Sequence, residues 1–389
     1  MRILMIAPQP FYSERGTPMN VKLLCQVLGE KGYRVDLLVF PAGKDVRLRN
    51  VRIIRLPNII TVKRIPPGPS LIKLFYDLLM TTAIIWLIIT RKYDVIHGIE
   101  EGGFVAVILG TLFRKATIFD MDSCISDQLA YSGFVKNRLV LNWIIYLEKW
   151  CLGKSSCVIT VCQALTERAK QLNANAKIFQ IEDIPITNMD SKDGNIADLT
   201  KHYGLESTVN LVYTGNLESY QGIDLLLDAW KIFCTQTIEP SKYKLVIVGG
   251  DDHKIKHYIK MVSVNGLQDF ICWVGQRPSN EMADWMKIGQ ALVSPRTEGQ
   301  NTPLKIYTYM ASGRPIVATR LETHTQVLDD SIAFLSEPEP LQFSHAIAEA
   351  LKGPVIAEQK ALKAKRIVES NYNYNAFQKK LLQAYASIQ

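Results

Sequence analysis

A chain of 389 residues exceeds what one hydrophobic core ordinarily serves, so two domains of roughly 150–200 residues each are expected. With 48% apolar and 21% charged residues, a net charge of +8 and no low-complexity tract, the composition excludes a disordered or fibrous chain. The seven cysteines (Cys25, Cys124, Cys151, Cys157, Cys162, Cys234, Cys272) form no CxxC pair and no ligand-like spacing with histidine. That argues against a disulfide framework and structural zinc, and for a reducing compartment.

The chain opens on an apolar strand at residues 3–7, with no apolar leader and cleavage site before it, so a cytoplasmic protein is expected. A helix after Thr17-Pro18 carries Val21, Leu24, Cys25 and Leu28 on one face, and strands follow at 35–40 and 51–56. Around the latter, Lys44, Arg47, Arg49, Arg52, Arg55, Lys63 and Arg64 share one stretch with Asp45 as its sole acid. The segment Lys44 to Arg64 is either a solvated face or an attraction for an anionic membrane surface, which would make the protein peripheral on the inner face of the membrane. Nucleic acid is not an expected partner, because no aromatic residues interleave with these cations. The apolar helix Leu71–Thr90 is interrupted by Lys73 and Asp77, and its uncharged part is shorter than the ~20 residues of a spanning helix. It is expected to lie buried between a sheet and its neighbours. Strands at 95–97, 116–120 and 157–161 complete the first half, with helices around 142–152 and from Gln163. This βα alternation predicts a doubly wound parallel sheet.

Polarity rises from Thr187 to Tyr203, as in a linker. The pattern then restarts, with strands at 211–214, 244–248, 270–274, Ala291–Ser294, 315–318 and 332–335, and one long Lys-rich helix from about Ala357. Two such halves place a ligand in the cleft between them.

The chemistry-bearing residues cluster after strands. Arg15-Gly16-Thr17-Pro18 offers an N-cap at Thr17, a first-turn proline and a close approach to the backbone at Gly16. No G-x-G-x-x-G occurs, which speaks against a dinucleotide oxidoreductase. His97, Glu100, Glu101, Asp120 and Asp122 follow the strands at 95–97 and 116–120. Acids there suit sugar hydroxyls or a developing positive charge, although Glu100 or Glu101 could equally cap the next helix. In the second half Gly215-Asn216, Gln221-Gly222, Gly249-Gly250 and Gly275-Gln276-Arg277 succeed three strands. His253 and His257 lie one helical turn apart, but no third ligand accompanies them and no metal is expected. The densest signal runs from Ser294 to Thr319. After a buried strand come Arg296, Glu298, Gly299, Gln300, Asn301 and Thr302, then a helix entered through Pro303 and closed by Gly313, and then another strand. Backbone N–H groups at such a helix start form an anion site.

Taken together these residues resemble the retaining glycosyltransferases of family 4. The resemblance rests on Arg15-Gly16-Thr17-Pro18, on Gly32, Tyr33 and Val35, on the strand from Asp94 to His97, and on residues 213–223 and 246–250. Its most specific part is Glu298 through Met310-Ala311-Ser312-Gly313 to Pro315-Ile316-Val317-Ala318. It implies a GT-B fold: two Rossmann-like parallel-sheet domains with an interdomain cleft. The expected division is an acceptor-binding domain at 1–186, a linker at 187–206, a nucleotide-sugar-binding domain at 207–360 and a final helix at 361–389 returning to the first domain. It further implies sugar transfer from a UDP- or GDP-sugar to a lipid-linked or glycan acceptor, with no required cofactor or metal. Alternatives are a soluble small-molecule acceptor, or a degenerate member that only binds a nucleotide sugar.

The match departs from the family at identifiable places. Where the family has an Arg and a Lys that neutralise the diphosphate, this chain has Asn216 and Gln221. Glu298 matches the acid that contacts the donor sugar, but the ribose-binding acid is replaced by Ile306 or, in the register set by Tyr309-Met310-Ala311, by Thr308. Asp122 stands where a histidine is usual. Lys305 and Arg296 are the substitute cations, Lys305 for the phosphate and Arg296 supporting it or pairing with Glu298. Catalysis would rest on Glu298, Lys305 and Asp122. The donor would be contacted by Gly16, Gly215, Asn216, Gln221, Gly249, Gln276, Arg277, Arg296, Gly299, Gln300, Asn301, Thr302 and Thr308. On the acceptor side would lie Arg15, His97, Glu100 and Glu101.

Overall fold

The computed structural model describes residues 1–13, 16–59, 71–131, 135, 137–185, 193–264 and 266–388. Arg15, Lys63 and Arg64 thus lie outside the described residues. The chain divides into two compact units, Met1–Glu182 with Asn375–Gln389, and Asp183–Tyr374.

The first unit is built on seven strands: β1 (Arg2–Pro10), β2 (Arg34–Phe40), β3 (Val51–Arg55), β4 (Val95–Ile99), β5 (Ala116–Met121), β6 (Cys157–Thr160) and β7 (Ile178–Gln180). All pair in parallel, in the order β3-β2-β1-β4-β5-β6-β7. The central strands are near-continuous apolar runs because helices cover both faces; Ile3 through Ala7 have no exposed surface. The helix Gly16–Glu30 joins β1 to β2 in one direction. The helices Leu71–Thr90, Glu101–Leu112, Arg138–Lys154 and Gln163–Leu172 make crossovers in the other direction. Right-handed crossovers therefore put those four on the opposite face. The strand order reverses between β1 and β4, and the loops after these two strands open at that point.

The second unit repeats the plan with β8 (Val209–Thr214), β9 (Tyr243–Val248), β10 (Ile271–Gly275), β11 (Ala291–Ser294), β12 (Ile316–Thr319) and β13 (Phe334–Ser336). They too are parallel, ordered β10-β9-β8-β11-β12-β13, so the reversal falls between β8 and β11. Trp230 and Phe233 fill one side of this sheet, and Trp285, Tyr307 and Tyr309 the other.

Four features differ from the sequence reading. Residues 193–202, inside the segment read as linker, form the helix Asp193–His202, whose Leu199 joins the second core. The final helix is two: Pro354–Asn371 in the second unit, and Tyr374–Ala386, whose residues from Asn375 onward belong to the first. Asn373 ends the former by donating from Nδ2 to the carbonyls of Glu369 and Ser370. The helix Leu71–Thr90 is not buried all round. Tyr76, Met80, Ile84 and Leu87 face the sheet, whereas Leu74, Leu78, Trp86 and Ile89 are exposed. Finally, two cations of the basic stretch have internal work. Arg52 pairs with Asp36 at 2.7 Å, and Arg55 holds the carbonyls of Phe11 and Lys44 and the Asp45 carboxylate. Burial would raise the Asp36 carboxyl, but hydrogen bonds from Arg52, Tyr93 and Arg2 overcome it and leave it below the ordinary range.

Candidate functional site

In the second unit the loops after β8 and β11, which flank the switch point, are locked together. Thr297 donates its N–H to the Tyr220 carbonyl at 3.0 Å. Gly222, at φ 71°, lies so close to Pro295 that a Cβ would stand 2.0 Å from its carbonyl oxygen. Only glycine fits both the left-handed backbone and the gap. A second close approach joins neighbouring strand ends: Gly249, at φ 119°, would place a Cβ 2.0 Å from the Gly215 carbonyl oxygen. Gly249 also donates to the Gly275 carbonyl at 2.8 Å, and Gly215 to Val248 at 3.0 Å. The glycines read from sequence thus form one continuous rim of backbone.

Above this rim stands the helix Leu304–Ser312, capped by Pro303 without a side-chain cap bond and ended by Gly313 at φ 68°. Lys305 in its first turn sends its ammonium to Gln221 Oε1 at 3.0 Å, and to within 4.2 Å of the Tyr213 ring centre. Arg296 lies beside it. Its Nε donates to the Glu298 carbonyl at 2.6 Å, and its other nitrogens reach the Asn301 carbonyl and side chain at 3.3 and 3.2 Å. Arg296 therefore does not pair with the Glu298 carboxylate; it ties the loop from beneath. Among the described residues neither cation has a carboxylate within ion-pair distance. Burial, and secondarily the Arg296 charge, hold the Lys305 amine well below the ordinary lysine range. Burial likewise lowers Arg296. Two half-buried cations without a counter-ion form a site that an anion would complete.

Glu298 and Gly299 are exposed at the loop tip, and Gly215, Asn216 and Gln276 are exposed on the glycine rim. Asn216 is engaged locally, donating to the Tyr220 hydroxyl at 3.3 Å. Arg277 pairs with Glu281 at 3.1 Å, so its charge is already matched. The Gln300 and Asn301 carbonyls accept from Gln326 and Thr323 at 2.7 Å each, which fixes their peptide planes. Thr302 is buried, and its Oγ1 has no partner among the described residues. Ile306 is a core residue, and Thr308 is buried as well. Its Oγ1 lies 3.5 Å from the Leu304 carbonyl of its own helix. Gly16 belongs to the first unit, at the start of its helix with open space around it.

In the first unit His97 and Asp120 lie inside the sheet rather than on its rim. His97 Nε2 is 3.0 Å from Asp120 Oδ2, and His97 Nδ1 is 2.7 Å from the Tyr385 hydroxyl; none of the three is exposed beyond 1%. This chain of bonds fastens the C-terminal helix to the sheet. Removing one partner of a buried hydrogen bond costs about 1–3 kcal/mol, so Tyr385→Phe is expected to lower stability by that amount in urea unfolding. An unchanged midpoint would show that the bond contributes nothing. Glu100 occupies the cap position of the helix Glu101–Leu112, yet its carboxylate makes no cap bond. Burial, then the neighbouring Glu101, push its pKa up to about 7. Glu101 itself pairs with Lys73. Asp122 is buried just after β5. Glu148 accepts from the Ile125 N–H at 3.1 Å and the Ser126 hydroxyl at 2.5 Å, and so caps the helix Ile125–Tyr131.

Three supports were not visible in the sequence. Tyr309 accepts the Thr214 N–H at 2.9 Å and so holds the end of β8. His324 accepts or donates to Ser294 and Thr319 at 2.9 and 3.0 Å, bracing β11 against β12. Gln221 is the contact of Lys305. Burial depresses the His324 pKa to about 3. The unfolded chain binds that proton near pH 6.5 and the folded one does not until about pH 3. Stability is therefore full above pH 6.5 and lost as the pH falls toward 3. His324→Gln is expected to flatten this acid limb of the urea-midpoint profile; an unaltered slope would count against it.

Two doubly wound parallel sheets, each with polar loops at its own switch point, define the GT-B class of α/β proteins. A family model described as Glycosyltransferase Family 4 matches residues 16–182, and one described as Glycosyl transferases group 1 matches residues 208–353. The phosphatidyl-myo-inositol mannosyltransferase of Mycobacterium leprae is 22% identical over 402 aligned positions, covering 100% of this chain and 97% of that protein. A phosphatidylinositol N-acetylglucosaminyltransferase component from Arabidopsis thaliana is 22% identical over 354 residues, 90% of this chain and 74% of its own length. Among solved structures, Anabaena HepE in complex with UDP-glucose superposes with a TM-score of 0.76 at 14% identity, covering 100% of both chains. The chain belongs to the family 4 glycosyltransferases of GT-B fold.

Proposed function

We propose that this glycosyltransferase moves a sugar from a nucleoside-diphosphate sugar, held by the second unit, to a lipid-linked or glycan acceptor recognised by the first, with retention at the anomeric carbon. The observation that carries the donor assignment is the Lys305 ammonium, half-buried beside Arg296 with no carboxylate partner among the described residues, at the β8–β11 switch point. A diphosphate supplies the missing negative charge, and the first N–H groups of the helix Leu304–Ser312 add to it. The HepE complex supports a uridine nucleotide as one donor type. The two phosphatidylinositol-directed relatives support a glycolipid acceptor.

As the bond to the leaving diphosphate breaks, positive charge grows on the sugar and negative charge on the phosphate. Lys305 meets the latter. The exposed Glu298 carboxylate orients the sugar hydroxyls, and Asp122 serves the acceptor side. The leaving phosphate takes the acceptor proton on the same face, so the protein contributes position and charge and no cofactor is needed. A second reading, a nucleotide-sugar binder without turnover, draws on Thr308, whose hydroxyl lies near its own helix carbonyl where the family has an acid. Incubation with UDP- and GDP-sugars, followed by NMR, separates the two. Slow release of sugar in the donor's own anomeric form supports transfer with retention. Release of the opposite anomer contradicts retention, and tight binding without any release supports the second reading.

A further inference from the structure

The helix Leu71–Thr90 breaks the usual rule for a surface helix. One face, Tyr76, Met80, Ile84 and Leu87, packs on the sheet of the first unit. The opposite stripe carries Leu74, Leu78, Trp86 and Ile89, spaced three to eight residues apart, with Leu78 67% and Trp86 58% exposed. Soluble helices place charge on that side. Among the described residues it is also the one helix long and apolar enough to cross a membrane, but its inner face is taken up by the protein core. Its neighbours on the same face of the sheet continue the stripe. The helix Glu101–Leu112 shares a core with it and exposes Leu112. The helix Arg138–Lys154 shares a core with Glu101–Leu112 and exposes Leu139, Trp143 and Tyr146.

Cations predominate among the exposed charges around this surface. Lys92, Arg114, Arg138, Lys149 and Lys154 stand exposed at or near the ends of the three helices. Of the acids on these helices, Glu101 pairs with Lys73, Glu148 is buried, and Asp77 is half-buried, with burial pushing its carboxyl up to about 7. Tryptophan and tyrosine on an apolar face, bordered by lysine and arginine, match the interfacial zone of an anionic bilayer.

We infer that the outer face of these three helices is a monotopic docking surface for an anionic phospholipid membrane, with Leu78, Trp86 and Trp143 entering the headgroup layer. This contact goes beyond the transferase reading and differs from the basic Lys44–Arg64 stretch, in which Arg52 and Arg55 serve the fold.

The test is co-sedimentation of the full chain with vesicles of phosphatidylcholine alone, or with about 30% phosphatidylglycerol. Wild type is expected to bind the anionic vesicles, less so at high salt. The double variant Leu78→Glu/Trp86→Glu, and separately Trp143→Glu, are expected to lose about tenfold or more, the factor on the order of one buried apolar side chain. Because all three positions are exposed, thermal unfolding should be unchanged and reports that the variants fold. Absence of wild-type binding, or variants that bind as wild type does, overturns the inference. So does self-association abolished by these substitutions without any vesicle binding, which would assign the face to a second copy. Neither donor nor acceptor is present, so failure here leaves the transferase reading intact, and the reverse holds too.

Discussion

Lys305→Ala is expected to weaken nucleoside-diphosphate binding by about 10- to 100-fold, the size of a charge-assisted hydrogen bond lost from an enclosed site. The same position should show the opposite effect on stability. The protein half-buries this cation beside Arg296 without a carboxylate partner among the described residues, and replacing such a charge by an apolar group of similar volume is often neutral or stabilising. Lys305→Met should therefore hold or raise the thermal midpoint while it lowers affinity. A residue with only a structural role would lose both together. A pH signature follows as well. In the free protein burial and Arg296 lower the Lys305 pKa, whereas a bound diphosphate raises it. At pH values around and above the free-state pKa binding thus takes up a proton, and affinity falls as the pH rises through that pKa. Calorimetry in buffers of different ionisation enthalpy measures that uptake. Its absence would show that Lys305 is already charged before the ligand arrives.

The second large effect belongs to Glu298. Its side chain is exposed at the tip of the loop after β11, so the fold does not depend on it. Glu298→Gln keeps the shape and removes the charge. It is expected to lower kcat by roughly a hundredfold or more, as loss of one preorganised electrostatic contact does. Diphosphate affinity and the thermal midpoint should stay near wild type. Unchanged turnover would remove Glu298 from the reaction. A parallel loss of diphosphate affinity would move it to nucleotide binding.

Much of this frame could be read from the chain. Parallel strands buried on both faces are continuous apolar runs, so Ala291–Ser294 and the helix Leu71–Thr90 were legible to the residue. The glycines after β8, β9 and β10 marked the rim because all three take positive φ, and at Gly249 a Cβ would also strike the Gly215 carbonyl. Partners far apart in sequence were not legible. Tyr385 and His97 are 288 positions apart, and Lys305 and Gln221 are 84 apart; no local periodicity encodes either pair. The break before Tyr374 carries no Gly or Pro, only an asparagine whose side chain closes the preceding helix. The exposed apolar stripe of Leu71–Thr90 was hidden for a different reason. When every face of a helix is apolar, composition cannot say which one meets the core.

The second unit is expected to carry a diphosphate site completed by Lys305. Isothermal titration of the whole protein with UDP, GDP and the corresponding monophosphates tests it most directly. The structure predicts that at least one diphosphate binds about tenfold or more tightly than its monophosphate, and that Lys305→Ala removes this preference. Equal affinity for mono- and diphosphates, or a preference that survives in Lys305→Ala, would contradict it.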